Sequence, residues 1–123
     1  MARIKVGTGE IQPGQQWVAG RYMLQFTEAG NLELWNRVAR QLLWQSGSKS
    51  LRVSRLAMQE DGNLVIYDRD GMALWSSGTY GHPDAYLAVR DDGNLVICLR
   101  DNRPIWSATL PVARKPISQG ARA

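Results

Sequence analysis

Gln59-Glu60-Asp61-Gly62-Asn63-Leu64-Val65-Ile66-Tyr67 joins a turn signal to a short apolar run. Leu64 to Tyr67 is rich in β-branched and aromatic residues and reads as a strand. Leu56-Ala57-Met58 precedes it as the partner strand. Asp61-Gly62 between two apolar runs signals a hairpin, because glycine accepts positive φ at no steric cost. The same core recurs on both sides, as Gly30-Asn31-Leu32 and Gly93-Asn94-Leu95. The three asparagines lie 32 and 31 residues apart, and Trp44, Trp75 and Trp106 follow at steps of 31. Small polar residues come after these tryptophans: Ser46, Ser76 with Ser77, and Ser107. Two markers in one register define an internal repeat.

Further turns fall at Asp68-Arg69-Asp70-Gly71 and Asp101-Asn102, before the short runs that end in Trp75 and Trp106. No segment sustains a helical period, so the expected class is all-β. A unit of about 31 residues cannot bury its own apolar face, so three units must share one core. The economical arrangement is threefold, with one tryptophan per unit meeting near the axis. Equivalent placement makes Trp44, Trp75 and Trp106 core residues first.

The chain has 123 residues, 44% hydrophobic and 21% charged, which suits one domain with a real core. The expected domain is 1–112, with repeats at roughly 20–50, 51–81 and 82–112, followed by a basic tail at 113–123. Gly14-Gln15-Gln16-Trp17 and Gly20-Arg21-Tyr22 supply early strands that complete the first unit, with Trp17 in a packing role. Cys98 is the single cysteine, so no intramolecular disulfide forms. The net charge is +4, but the basic residues are scattered, and no nucleic-acid partner is expected. No apolar run approaches the roughly 20 residues that span a bilayer, so no membrane insertion is expected. Met1 to Val6 lacks the apolar core of a secretory signal. The expectation is cytoplasmic synthesis with release, or an extracellular protein after leader removal.

Gln59, Asp61, Asn63, Val65 and Tyr67 occupy alternate positions, and period two places them on one face. Met58, Leu64 and Ile66 take the other parity and turn to the core. The outward set offers two amides, a carboxylate, a small apolar patch and a phenol, a combination suited to a pyranose. Gln59-x-Asp61-x-Asn63-x-Val65-x-Tyr67 resembles the sugar-binding motif of the bulb-type (monocot mannose-binding) lectin family at all five positions. With the repeat and the tryptophans, the resemblance covers roughly Val6 to Ser107. It implies a β-prism II fold: three antiparallel four-stranded sheets with pseudo-threefold symmetry. It also implies mannose or mannose-containing glycans as partners, with no cofactor and no metal. By the resemblance, Asp61 and Asn63 contact the axial 2-hydroxyl, Gln59 the 3-hydroxyl and Tyr67 the 4-hydroxyl, while Val65 packs against the ring.

The other copies depart from this set. The first has Thr27, Ala29, Asn31, Glu33 and Trp35, and is expected not to bind mannose in the family manner. The third keeps Asp92, Asn94 and Val96 but carries Arg90 and Cys98, and remains a candidate for a weak or altered second site. Asp-Gly-Asn as pure turn chemistry explains the Gly-Asn kept in all three copies. It does not explain why Gln, Asp, Val and Tyr occur together in one.

No catalytic residue is expected. His82, the only histidine, lies in a loop, and Cys98 reads as a small buried hydrophobe. Glu60–Asp61 and Asp91–Asp92 are adjacent carboxylates, which on a strand point to opposite faces. Asp68 to Gly71 lacks the third acidic position and the distant glutamate of a calcium loop. In the resembled family the C-terminal strand often crosses to a partner chain. Here Leu110, Pro111 and Val112 precede a polar end, and Pro111 and Pro116 limit a regular strand. A homodimer through this segment and a frayed basic tail both stay open. The expected function is mannose binding, for defence or lectin-like antibacterial (bacteriocin-like) recognition. The alternative is a scaffold or protein-interaction domain that kept the fold and lost the sugar.

Overall fold

A computed structural model of the chain describes residues 2–108. The expected tail at 113–123, and the segment with Leu110, Pro111 and Val112 for which a homodimer stayed open, lie outside the described residues. Twelve strands and no helix occur among those described: β1 (Ala2–Val6), β2 (Gly9–Ile11), β3 (Gln16–Ala19), β4 (Tyr22–Phe26), β5 (Leu32–Asn36), β6 (Gln41–Gln45), β7 (Val53–Met58), β8 (Leu64–Asp68), β9 (Ala73–Ser76), β10 (Tyr86–Arg90), β11 (Leu95–Cys98) and β12 (Pro104–Ser107). They form three four-stranded antiparallel sheets, ordered β3-β4-β5-β6, β2-β7-β8-β9 and β1-β10-β11-β12. The expected all-β, pseudo-threefold β-prism II architecture is therefore present.

One sheet is a continuous meander, and the leading segment completes it as expected, through β3 against β4. The other two sheets each borrow an outer strand from the N-terminal residues. β1 pairs with β10, Lys5 opposite Ala88, and β2 pairs with β7, Glu10 opposite Ala57. The sequence pattern did not disclose these two strands.

Strand parity sorts the side chains. Leu24, Phe26, Leu32 and Leu34 from the first sheet, Leu56, Met58, Leu64 and Ile66 from the second, and Leu87, Val89, Leu95 and Ile97 from the third form one buried cluster. Trp44, Trp75 and Trp106 pack against it and meet edge to face. Their ring centroids lie 5.6, 5.5 and 5.8 Å apart, at interplanar angles of 65°, 79° and 74°. The offset edge-to-face geometry sets the positive ring edge against a negative ring face. Trp17 also packs on this core.

The three Gly-Asn-Leu stretches share one turn. Gly62 N–H donates to the Gln59 carbonyl and Gln59 N–H to the Asn63 carbonyl; Gly30 with Thr27 and Asn31, and Gly93 with Arg90 and Asn94, do the same. Each glycine takes positive φ, as a three-residue hairpin loop with a glycine bulge requires. The asparagine then ties the turn to the chain beyond the tryptophan. Asn63 Oδ1 accepts from Ser77 Oγ at 3.2 Å and from Thr79 N–H at 3.1 Å, and Thr79 Oγ1 donates to the Gly62 carbonyl. Asn31 Oδ1 is held likewise by Ser46 Oγ and by the N–H groups of Gly47 and Ser48.

Candidate functional site

β7 and β8 place the motif residues on the outer face of the second sheet. Val65 is flanked by Ala57 on β7 and Ser76 on β9. It is 3% exposed and forms the floor. One row further, Tyr67 lies between Arg55 and Ala73. Gln59 stands just beyond β7, half-buried, and its Nε2 donates to the Tyr67 hydroxyl. The phenol oxygen accepts there, so its own proton stays available to an incoming acceptor.

Asp61 departs from simple alternation. It sits in the turn rather than on a strand, as does Glu60, so the opposite-faces argument does not govern these two carboxylates. Asp61 is exposed, and its Oδ1 accepts the Asn63 N–H at 2.9 Å. This Asx bond presents the second carboxylate oxygen outward. Asn63 uses Oδ1 internally, and among the described residues its Nδ2 has no acceptor. This face of the hairpin thus carries a carboxylate oxygen, an amide donor, a phenol proton and the Gln59 carbonyl around the apolar Val65.

Two neighbours of this groove escaped the sequence reading. Arg55 lies with its guanidinium carbon 4.4 Å from the centre of the Tyr67 ring. Its Nε is 3.1 Å from Glu10 Oε2, an ion-pair distance outside hydrogen-bond geometry. Both sit opposite motif-bearing strands, a relation that only the register reveals. A concavity of about 440 Å³ opens beside the motif, lined in part by Glu10, Arg55, Gln59 and Asp61.

On the first sheet the equivalent face is filled from within. Glu33 accepts from Asn31 Nδ2 at 2.8 Å, from Trp35 Nε1 at 2.9 Å and from Gln25 Nε2 at 3.4 Å. The carboxylate gathers the amide and indole donors that a ligand would otherwise use.

On the third sheet Asp92 Oδ1 accepts the Asn94 N–H at 2.9 Å, as in the second. Asn94 is buried and its Nδ2 donates to Ser107 Oγ. Val96 and Ala88 form the floor at 1% exposure each. Cys98 is buried, and desolvation pushes its thiol above the ordinary range. Tyr86, opposite Cys98 on β10, brings a phenol to this face from the neighbouring strand.

His82 serves the fold around the second-sheet turn. Its N–H donates to the Asp61 carbonyl, and its Nδ1 lies 3.0 Å from the Thr79 carbonyl. Asp68 Oδ1 accepts from the N–H groups of Asp70 and Met72, a turn-closing arrangement.

No protein-family model matches the sequence, and neither does any curated protein. Solved structures do match. One, described as a novel monomeric monocot mannose-binding lectin from Gastrodia elata, is 32% identical, with 88% of this chain and 96% of that chain covered and a TM-score of 0.72. A Marasmius oreades lectin is 30% identical, covering 84% of this chain and 87% of that one, also with a TM-score of 0.72. The snowdrop (Galanthus nivalis) mannose-specific agglutinin, complexed with methyl-α-D-mannoside, is 23% identical over 97% of both chains, with a TM-score of 0.68. At that identity the snowdrop protein speaks for the fold alone.

Proposed function

Because this chain belongs to the bulb-type (monocot mannose-binding) lectin family, we propose that it is a metal-independent, non-enzymatic mannose-binding lectin with one intact site, on the outer face of its second sheet. The observation that carries this reading is the joint presence of Gln59, Asp61, Asn63, Val65 and Tyr67 at one hairpin of the second sheet. In this reading the outward oxygen of Asp61 and the Nδ2 of Asn63 take the axial 2-hydroxyl, one accepting and one donating. That pair separates mannose from its equatorial epimer. Gln59 takes the 3-hydroxyl, Tyr67 the 4-hydroxyl, and Val65 underlies the ring. The Arg55 cation on the back of the Tyr67 ring holds the phenol in place.

The first groove is closed to mannose because Glu33 occupies its donors. The third, with Asp92, Asn94 and Val96, is the weak or altered second site. A shallow, solvated groove binds a monosaccharide at roughly millimolar Kd. Useful avidity then requires clustered glycans or a second copy of the chain. Recognition of this kind serves defence or lectin-like antibacterial targeting. The scaffold reading draws support from the loss of the motif on two of three faces.

A glycan array and calorimetry on wild type, Asp61→Ala and Tyr67→Phe test the proposal. Expected are mannoside binding with about one site per chain, its loss in Asp61→Ala and a weaker signal in Tyr67→Phe. Mannoside binding that survives Asp61→Ala rejects the site, and silence toward every glycan favours the scaffold.

A further inference from the structure

The second and third grooves share a register but not a charge. In the second, the row Glu10, Ala57, Val65, Ser76 faces outward; in the third, Lys5, Ala88, Val96, Ser107 holds the same places. Lys5 thus stands where Glu10 stands. Tyr86 replaces Arg55, and Arg90 replaces Gln59. Where the second groove sets one arginine against one glutamate, the third sets two cations around a tyrosine.

The place is built as a site. A concavity of about 420 Å³ is lined by Lys5, Tyr86, Arg90 and Asn102 over Ala88 and Val96. The Lys5 ammonium lies 4.3 Å from the centre of the Tyr86 ring. The Tyr86 hydroxyl donates to Asn102 Oδ1, which fixes the phenol at the rim. Lys5 and Arg90 both favour the Cys98 thiolate, against the larger effect of burial. The carboxylates of the adjacent turn, Asp91 and Asp92, are not among the residues that line this concavity. Asp92 closes its own turn, and Asp91 lines a different concavity with Arg21 and Tyr22. Among the described residues, neither Lys5 nor Arg90 is in a salt bridge.

We infer that the third-sheet groove binds a pyranose carrying a carboxylate, a hexuronic acid unit of an acidic glycan, between Lys5 and Arg90. Two cations supply the countercharge, Arg90 through a planar fork that matches a carboxylate. The Tyr86 ring and the Val96–Ala88 floor take the C–H face of the sugar, which a bare anion lacks. This inference rests on the lectin reading of the fold but not on the second-sheet site.

The test is titration of isotopically labelled protein, followed by amide chemical shifts. The probes are mannuronic and glucuronic acid, each beside its neutral parent hexose, with inorganic phosphate as a bare anion. Wild type, Arg90→Gln, Lys5→Gln and Asp61→Ala are compared. Uronate is expected to shift the amides of Lys5, Tyr86 and Arg90, at least about fivefold more tightly than the neutral parent, the scale of one partly exposed ion pair. Arg90→Gln and Lys5→Gln should each remove most of that preference and leave mannose binding at Gln59–Tyr67 intact. Asp61→Ala should do the reverse. Uronate that binds no better than its parent, or as well to Arg90→Gln, overturns the inference. Phosphate shifting the same amides as tightly as uronate overturns the sugar part of it. Mannose binding without uronate binding defeats this inference alone. Uronate binding without mannose binding defeats the second-sheet site alone.

Discussion

A Cβ on Gly62 would stand 2.2 Å from the carbonyl oxygen of His82, at a backbone φ of +91°. Strain and clash act together there, and the obstacle is backbone that cannot swing aside. Gly62→Ala should cost about 3 kcal/mol in urea denaturation, within the range for backbone strain combined with overpacking. It should also weaken mannose binding, because the same turn carries Asp61. At Gly93 the obstacle is the Tyr22 ring, 2.4 Å from the added Cβ. A side chain can yield more readily, so Gly93→Ala should cost less than Gly62→Ala. Cys98 gives a second test at this scale. Burial holds its folded pKa above the ordinary thiol value, so the folded state keeps a proton that the unfolded chain releases. The contribution of this thiol to the pH dependence should therefore be absent below pH ~8.5, and stability should fall as pH rises above it. A thiol reagent at pH 8 should label the native protein far more slowly than the urea-unfolded one. Equal rates would contradict the burial.

At the scale of elements, the hairpins β7–β8 and β10–β11 are legible because their turns and apolar alternation are local. The two N-terminal strands are not. β2 is three residues long, and its partner lies some fifty positions away, with Gly9 opposite Met58. Its strand character comes from pairing with an exposed edge rather than from its own pattern. Ile11 on β2 is nonetheless 4% exposed in the core, opposite Leu56. Ile11→Ala should cost about 3 kcal/mol by calorimetric melting, as a buried aliphatic truncation does. Loosening β2 also releases Glu10 from Arg55, so mannose affinity should drop by a small factor rather than vanish. An unchanged melting temperature would show that β2 is not needed to seal the second sheet. The motif hairpin follows the same logic. Gln59, Val65 and Tyr67 are legible by alternation, whereas the position of Asp61 depends on how the turn is built.

For the whole molecule, the three tryptophans join the sheets to one another. Each packs partly buried against the common cluster and touches the other two. Trp44→Ala, Trp75→Ala and Trp106→Ala should each cost about 3–5 kcal/mol, the scale for a large aromatic truncated in a core. Their pseudo-threefold equivalence predicts similar costs for all three. Each should also collapse the near-ultraviolet circular dichroism that coupled indoles produce. Strongly unequal costs would mean that one sheet carries the junction.

The sequence by itself determined three hairpins, one tryptophan behind each, and one complete set of motif residues on a single face. Those features are local, written in turn chemistry, period two and a step of about 31 residues. The tertiary structure decided what surrounds each face. It placed Glu33 among the donors of the first groove, Glu10 and Arg55 beside the second, and Lys5 and Tyr86 beside the third. Glu10 and Lys5 come from strands far from the hairpins they flank, and only the cross-strand register sets them, with Arg55 and Tyr86, beside these faces; Glu33 was legible as a position, but its hydrogen-bond partners were not.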